Sequence, residues 1–362
     1  MSRPRVRDDL AHLEGYHSPQ LTVDVRLNTN EAPEAPPAAF TAAVAEAVAG
    51  VAWHRYPDRG AVALRTALAQ LHGVEAGNVF CANGSNEVLQ TILLAYAGPG
   101  RNVATFEPTY AMHGHIARIS GAATVVGERR DDFGLDTAEV LRVVAEHRPS
   151  VTFLCSPNNP TGTVETAETI TAALAEVESV DGLLVVDEAY GQFAPWSATE
   201  LLSDDRSLVV TRTFSKTWAM AGARLGYLLG PTWLVAELEK VVLPYHLDAV
   251  KQAAGVAALD FVDDMEQRVA TIVEERGRLQ LALGDLGCTV WPSGANFLLF
   301  RPPGAADGGH GQSVWQGLVD RSVLVRNTSS WDRLDGCLRV TIGTKADNDV
   351  FLAALTEVLA AS

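Results

Sequence analysis

Between residues 79 and 229, short apolar runs alternate with stretches in which apolar residues recur every three or four positions. The runs at 79–82, 102–106, 124–126, 151–155, 183–187, 208–211 and 225–229 predict seven strands. The stretches 86–97, 137–147 and 165–178 predict amphipathic helices between them. Strands alternating with helices imply an α/β sheet that is mainly parallel. The run "LLVVD" is apolar up to its last residue, Asp187, as befits a strand buried on both faces.

The flanks read differently. The first 40 residues are expected to be irregular, because Pro33, Pro36 and Pro37 resist both helix and central strand. Two helices, "AAFTAAVAEAVAGV" and "AVALRTALAQLHG", follow, with a break at "HRYPDRG" between them. Beyond Gly230 a long helical stretch is interrupted at Pro244. Then come strand "ANFLLF", a Gly-rich loop at 304–311 read as a flexible surface insertion, a helix near 313–320, strands "VLVRN" and "CLRVTIG", and a final helix. This predicts a smaller α+β lobe, and 362 residues are enough for two lobes.

Composition narrows the function classes. The chain is 47% hydrophobic and 20% charged, an ordinary globular balance. A formal charge of −16 opposes nucleic acid and anionic membrane surfaces as partners. Cys81, Cys155, Cys288 and Cys337 are scattered, with neither a CxxC pair nor zinc spacing, so they read as buried thiols in a reducing compartment and no metal is expected. The amino terminus lacks an apolar core of signal-peptide type, and no apolar run reaches roughly 18 residues; a cytoplasmic protein is the expectation.

Ligands of open α/β sheets bind at the carboxyl ends of strands, and three strand ends stand out. "ANGSNE" runs from a strand through Asn83-Gly84-Ser85 into a helix, which reads either as an anion site at a helix start or as a plain turn with a Ser cap. "SPNNPTG" is a rigid turn able to hold an Asn side chain at a fixed point. "VVDEAYGQF" places Asp187 where an unpaired carboxylate would be costly. It also resembles a Walker B strand, but the glycines of a P-loop are missing around "SKT". No GxGxxG follows a strand, which argues against a nicotinamide dehydrogenase.

The run "VVTRTFSKTWAMAGARLGYLL" carries Lys216 and Arg224 in mostly apolar surroundings. A desolvated lysine is a nucleophile toward carbonyls, and arginine suits phosphate. A carbonyl cofactor bearing a phosphate would use both, and pyridoxal phosphate meets that description.

"NGSNE", "PTYAMH", "SPNNPTG", "VVDEAYGQF", "TRTFSKTWAMAGARLGY" and "GCLRVTIGT" occur in the order found in class-II, fold-type-I pyridoxal-phosphate aminotransferases, and the chain resembles that family over about residues 13 to 361. "VRLNTNEAP", "HRYPDRGAVALR" and "LPYHLDAVKQAA" are more narrowly similar to the histidinol-phosphate aminotransferase branch. The resemblance implies an N-terminal arm at 1–44 packing with the small domain and the partner subunit, a large cofactor domain at 45–245, and a small C-terminal domain at 246–362.

The resemblance also implies roles. Lys216 would form the imine with the cofactor, Asp187 would pair with the pyridine nitrogen, and Asn159 and Tyr190 would bond the phenolic oxygen. Tyr110 would stack on the ring, and Ser85, Asn86, Ser215 and Arg224 would hold the phosphate. Tyr56 would reach the phosphate of a neighbouring subunit, which implies a homodimer with shared sites. Arg339 would bind the substrate's anionic end, with Tyr16, Asn30, Tyr245 and Arg326 lining the pocket.

The implied reaction is a ping-pong transfer from histidinol phosphate to 2-oxoglutarate, giving imidazole-acetol phosphate and glutamate. The alternatives are an aromatic-amino-acid aminotransferase, a phosphothreonine-type decarboxylase, and a non-enzymatic sensor of the same fold. The sensor form carries a DNA-binding domain ahead of "LNTNEAP", which here begins near residue 27. Three places depart from the family pattern, and the first, "EGYHSPQ", matches it only loosely. Thr217-Trp218 follow the lysine where "AF" is usual, and Asp248 replaces a common Ser. That acid is expected to repel a phosphorylated substrate unless it points away.

Overall fold

The computed structural model describes residues 4–11, 13, 15, 20–304 and 308–361. In chain order the strands are β1 (Val25–Leu27), β2 (Val79–Ala82), β3 (Asn102–Glu107), β4 (Ala123–Glu128), β5 (Val151–Cys155), β6 (Leu183–Asp187), β7 (Leu208–Thr213), β8 (Gly226–Leu229), β9 (Thr289–Val290), β10 (Phe297–Arg301), β11 (Val323–Asn327) and β12 (Leu338–Thr341). Seven of them form one sheet in the order β2-β8-β7-β6-β5-β3-β4. All pairings from β7 to β4 are parallel, and β8 runs antiparallel to both β2 and β7. These are the seven strands that the apolar runs predict, within a few residues at the ends.

Both faces of this sheet are covered, which is why its central strands are apolar without alternation. Successive residues point to opposite faces. Phe153 and Val185 join Val88, Leu89 and Ile92 of the helix Ser85–Tyr96 on one side. Leu154, Leu184 and Val186 join the helices Thr137–His147 and Ala167–Ser179 on the other. The register sets Cys155 opposite Asp187 and Asp187 opposite Thr211, so the carboxyl ends of β5, β6 and β7 finish level.

The second sheet has the order β1-β11-β12-β10-β9. The helix Val262–Asp285 ties the two sheet units together: Met265 is buried in the core beside the large sheet, while Ile272, Leu279 and Leu283 are buried in the core of the small one.

Three expectations need correction. The first 40 residues are not irregular throughout. Val25–Leu27 pairs in parallel with β11, and the helix Ala38–Ala49 begins directly after Pro37. A three-residue strand whose partner lies about 300 positions away leaves no local periodicity to read. The Gly-rich segment is not a loop along its whole length, because a helix spans Gly308–Val319; residues 305–307 lie outside the described residues. A further short strand, β9, was not foreseen. The four cysteines are free and buried. No described helix is long and apolar enough to cross a membrane.

Leu27 is 3% exposed within the small-sheet core, whereas Arg26 points outward from the same strand. Leu27→Ala is therefore expected to cost about 2–5 kcal/mol in urea unfolding, and Arg26→Ala less than about 0.5 kcal/mol.

Candidate active site

Asp187 closes β6 and is 2% exposed. Its Oδ2 lies 2.9 Å from His113 Nε2, and its Oδ1 accepts from Thr211 Oγ1 at 3.2 Å and from the Ala189 N–H at 3.1 Å. These partners offset the desolvation of the carboxylate. His113, on the helix Met112–Ile119, stacks on Phe153 with ring centroids 4.6 Å apart. Its Nδ1 is buried with no partner among the described residues. His113 sits within "PTYAMH", yet its pairing with Asp187 spans 74 positions and no sequence signal announces it.

Lys216 lies just past β7. Its Nζ donates to the Thr29 carbonyl at 3.1 Å and stands 5.8 Å from the centre of the Tyr190 ring. Burial of the ammonium, reinforced by the Arg339 and Arg224 charges, pushes it down to about 8, with Glu31 opposing. A lysine with that value holds a substantial neutral, nucleophilic fraction near neutral pH.

Arg224 ends the turn that starts at Lys216. It adopts a left-handed backbone, φ 53°, and its NH1 donates to Ser215 Oγ at 3.3 Å and to the Ala221 carbonyl at 3.2 Å. Opposite stands the start of the helix Ser85–Tyr96. Ser85 is not the cap but the first helical residue. Gly84 takes the cap position at φ 85° with no side-chain cap bond, and Glu87 reaches back to the Asn83 N–H at 2.6 Å. A Cβ on Gly84 would stand 2.8 Å from Arg224 NH2, and one on Gly226 would stand 2.3 Å from the Ser85 nitrogen. Two glycines thus let a guanidinium, a hydroxyl and a free helix N-terminus converge. That arrangement suits a phosphate monoester. Tyr110 borders it, its hydroxyl donating to Asn86 Oδ1 at 3.1 Å.

Arg339, on β12, is buried. It donates through NH1 to Asn159 Oδ1 and through NH2 to the Asn28 carbonyl at 3.0 Å, and it lies over the Phe297 ring. Asn159 comes from the turn after β5, so this bond joins the two sheet units. Asn30 has φ 55°. Its N–H donates to Thr341 Oγ1 at 3.0 Å and its Nδ2 to the Tyr190 hydroxyl at 2.9 Å. Burial pushes the Tyr190 hydroxyl up to about 12, so it stays protonated. Arg326 on β11 is directly opposite Arg339 in the ladder and packs over Trp331.

The remaining residues separate. Tyr56 is 80% exposed and stacks on Tyr245, ring centroids 4.5 Å apart. Tyr16 lies outside the described residues. Asp248 caps the helix Ala249–Ala258 by accepting from the Lys251 N–H at 2.8 Å, and it pairs with Lys251 Nζ at 2.6 Å. Its charge is engaged there, which removes the expected repulsion. Thr217 donates to Gln192 Oε1 at 2.6 Å, and Trp218 is core, packed on Phe214. A second buried pair that sequence reasoning missed, Glu188 with Arg212 at 2.8 Å, lies one residue beyond Asp187 and Thr211.

Gly226→Ala should cost about 1–3 kcal/mol, because its Cβ meets backbone that cannot swing aside. Gly222→Ala in the adjoining turn meets nothing within 4 Å and should change stability by less than about 0.5 kcal/mol. Thermal unfolding of the two variants side by side checks the contrast.

Residues 22–355 match the family described as aminotransferase class I and II. The histidinol-phosphate aminotransferase of Thermobifida fusca is 45% identical, with 97% of this chain and 94% of that protein covered. That of Mycolicibacterium vanbaalenii is 43% identical, covering 98% and 95%. Among solved structures, the histidinol-phosphate aminotransferase from Sinorhizobium meliloti in complex with pyridoxal-5'-phosphate superposes with a TM-score of 0.90 at 26% identity, covering 99% of each chain. By family match and by these relatives, the chain belongs to the class I and II aminotransferases, on the histidinol-phosphate aminotransferase branch.

Proposed function

We propose that this chain binds pyridoxal phosphate at Lys216 and transfers the amino group of histidinol phosphate to 2-oxoglutarate, giving imidazole-acetol phosphate and glutamate. The observation that carries the reading is the gathering of a lysine held near pKa 8, a buried carboxylate and a phosphate-shaped cradle at the carboxyl ends of the central strands. When bound, the cofactor supplies an aldehyde for the amine and an electron-poor ring that takes up charge as the α-proton leaves.

The chain's own residues do the rest. The cradle of Ser85, Asn86, Ser215 and Arg224 would hold the phosphate. Asp187, fixed by His113 and Thr211, would keep a proton on the ring nitrogen. Asn159 and Tyr190 would bond the phenolic oxygen, and Tyr110 would lie against the ring. Lys216 Nζ, released as a neutral amine by the substrate amine, would take the α-proton and deliver it to the aldehyde-derived carbon on the other side of the nitrogen.

Arg339 meets the anionic end of either substrate, since a guanidinium pairs with phosphate or carboxylate. Asn30 and Arg326 flank it. Residues 1–44, 45–245 and 246–362 approximate arm, large domain and small domain, although the helix Ala38–Ala49 crosses the first boundary and Ala254, Ala258 and Met265 still pack beside the large sheet. Trp53, Tyr56, Leu243 and Tyr245 are each exposed on this chain, and Tyr56 stacks on Tyr245. The proposal seats them against a second copy, with Tyr56 and Tyr245 reaching the neighbouring site.

Wild-type protein should carry a yellow chromophore, and Lys216→Ala should lose it together with at least about a thousandfold in turnover; a variant of unchanged colour refutes the assignment. In apoenzyme, reductive trapping of Lys216 by an aldehyde should rise with pH to a midpoint near 8 and not near the ordinary lysine value of 10.5, because only the neutral amine reacts. Single-turnover mixing without 2-oxoglutarate should convert the chromophore with histidinol phosphate and far more slowly with phenylalanine or phosphothreonine. The reverse order would move the assignment to an aromatic donor.

A further inference from the structure

A cavity of about 820 Å³ opens between the two sheet units, and neither Lys216, Asp187, Arg224 nor Arg339 lines it. One wall is a single face of the helix Val262–Asp285, where Val269, Val273 and Arg276 follow the three- and four-residue spacing of helical neighbours. Phe193 and Trp291 supply aromatic walls from the turns after β6 and β9. Beside them the seam is tight. The Gly294 N–H donates to the Gly162 carbonyl at 2.8 Å, and a Cβ on Gly294 would stand 2.2 Å from Val164 Cγ2. The volume falls within the roughly 300–1,000 Å³ range of small-molecule sites.

Two guanidiniums reach this space, and they differ. Arg130 is neutralised by Asp132 at 3.3 Å, and both are largely exposed. Arg276 is partly buried and donates through NH1 to the Ala295 carbonyl at 2.8 Å. Among the described residues no carboxylate pairs with it. A half-buried cation left in that state favours an anion that completes its hydrogen bonds. The rim carboxylate Asp132 disfavours a second negative charge, which selects a monoanion over a phosphate dianion.

We propose that this cavity is a second binding site, separate from the amino-transfer site, for a small aromatic carboxylate. The ring packs within the apolar lining that Trp291, Val269 and Val273 supply, and the carboxylate sits on Arg276. Gln192, which also lines the cavity, accepts from Thr217, the residue after Lys216.

The test is calorimetric titration of the cofactor-loaded enzyme with indole-3-propionate and with its uncharged amide, in the presence of saturating 2-oxoglutarate. The 2-oxoglutarate occupies the transfer site, so an aromatic ligand that merely enters that site is displaced. The acid should bind at least tenfold more tightly than the amide. Arg276→Met should remove that preference, and Ala194→Trp, which puts bulk at another lining position, should abolish binding of both. If Arg276→Met does not fold, Ala194→Trp and the acid–amide comparison still decide. Equal affinity for acid and amide, binding that survives Ala194→Trp, displacement by 2-oxoglutarate, or no binding of the acid up to about 10 mM overturns the proposal. None of these readouts depends on which amine the enzyme accepts.

Discussion

The three residues Asn28, Thr29 and Asn30 hold the site together. The Thr29 carbonyl receives Lys216 Nζ, the Asn28 carbonyl receives Arg339, and the Asn30 amide reaches the Tyr190 hydroxyl. One short segment therefore touches Lys216, Arg339 and Tyr190. It can do so because β1, just before it, is locked in parallel register onto β11. Buried polar groups without such partners would each cost about 1–3 kcal/mol, so the geometry of the segment and the geometry of the site are fixed together.

Charge explains why so much of the site is backbone. Lys216, Arg224 and Arg339 are three cations gathered in a partly desolvated space, and the two arginines depress the lysine. Carbonyl oxygens solvate these cations without neutralising them. A carboxylate in the same place would raise the lysine and consume the arginine that an incoming anion needs. Asp187 keeps its own hydrogen-bonding partners in His113 and Thr211, and Asp248 is engaged by Lys251. The acidic chain thus keeps its negative charge off the arginines of the anion sites.

The large sheet was legible because burial on both faces writes itself into contiguous apolar runs, and the site residues Asp187, Ser85 and Lys216 stand where those runs stop. Lys216 and Arg224 were conspicuous as cations in apolar company. Features set by distant pairing were hidden. The three residues of β1 show no period, the His113–Asp187 bond joins a helix to a strand 74 positions on, and the Glu188–Arg212 pair looks like any two surface charges. Asp248 was legible as an acid but not as a helix cap, because its orientation depends on where the helix after Pro244 restarts. The helix beginning at Gly308 was masked by glycines that argue for a loop.

The single reversed strand, β8, has a consequence for how this protein could change. A parallel strand would return through a long crossover. β8 instead comes straight back beside β7, so Lys216 and Arg224 sit at the two ends of one short clip. The same strand presses Gly226 against the Ser85 turn, tying the clip to the helix that completes the anion cradle. Lys216 and Arg224 are therefore one structural unit. The separation of the two cations is set by the clip, and neither end can drift alone.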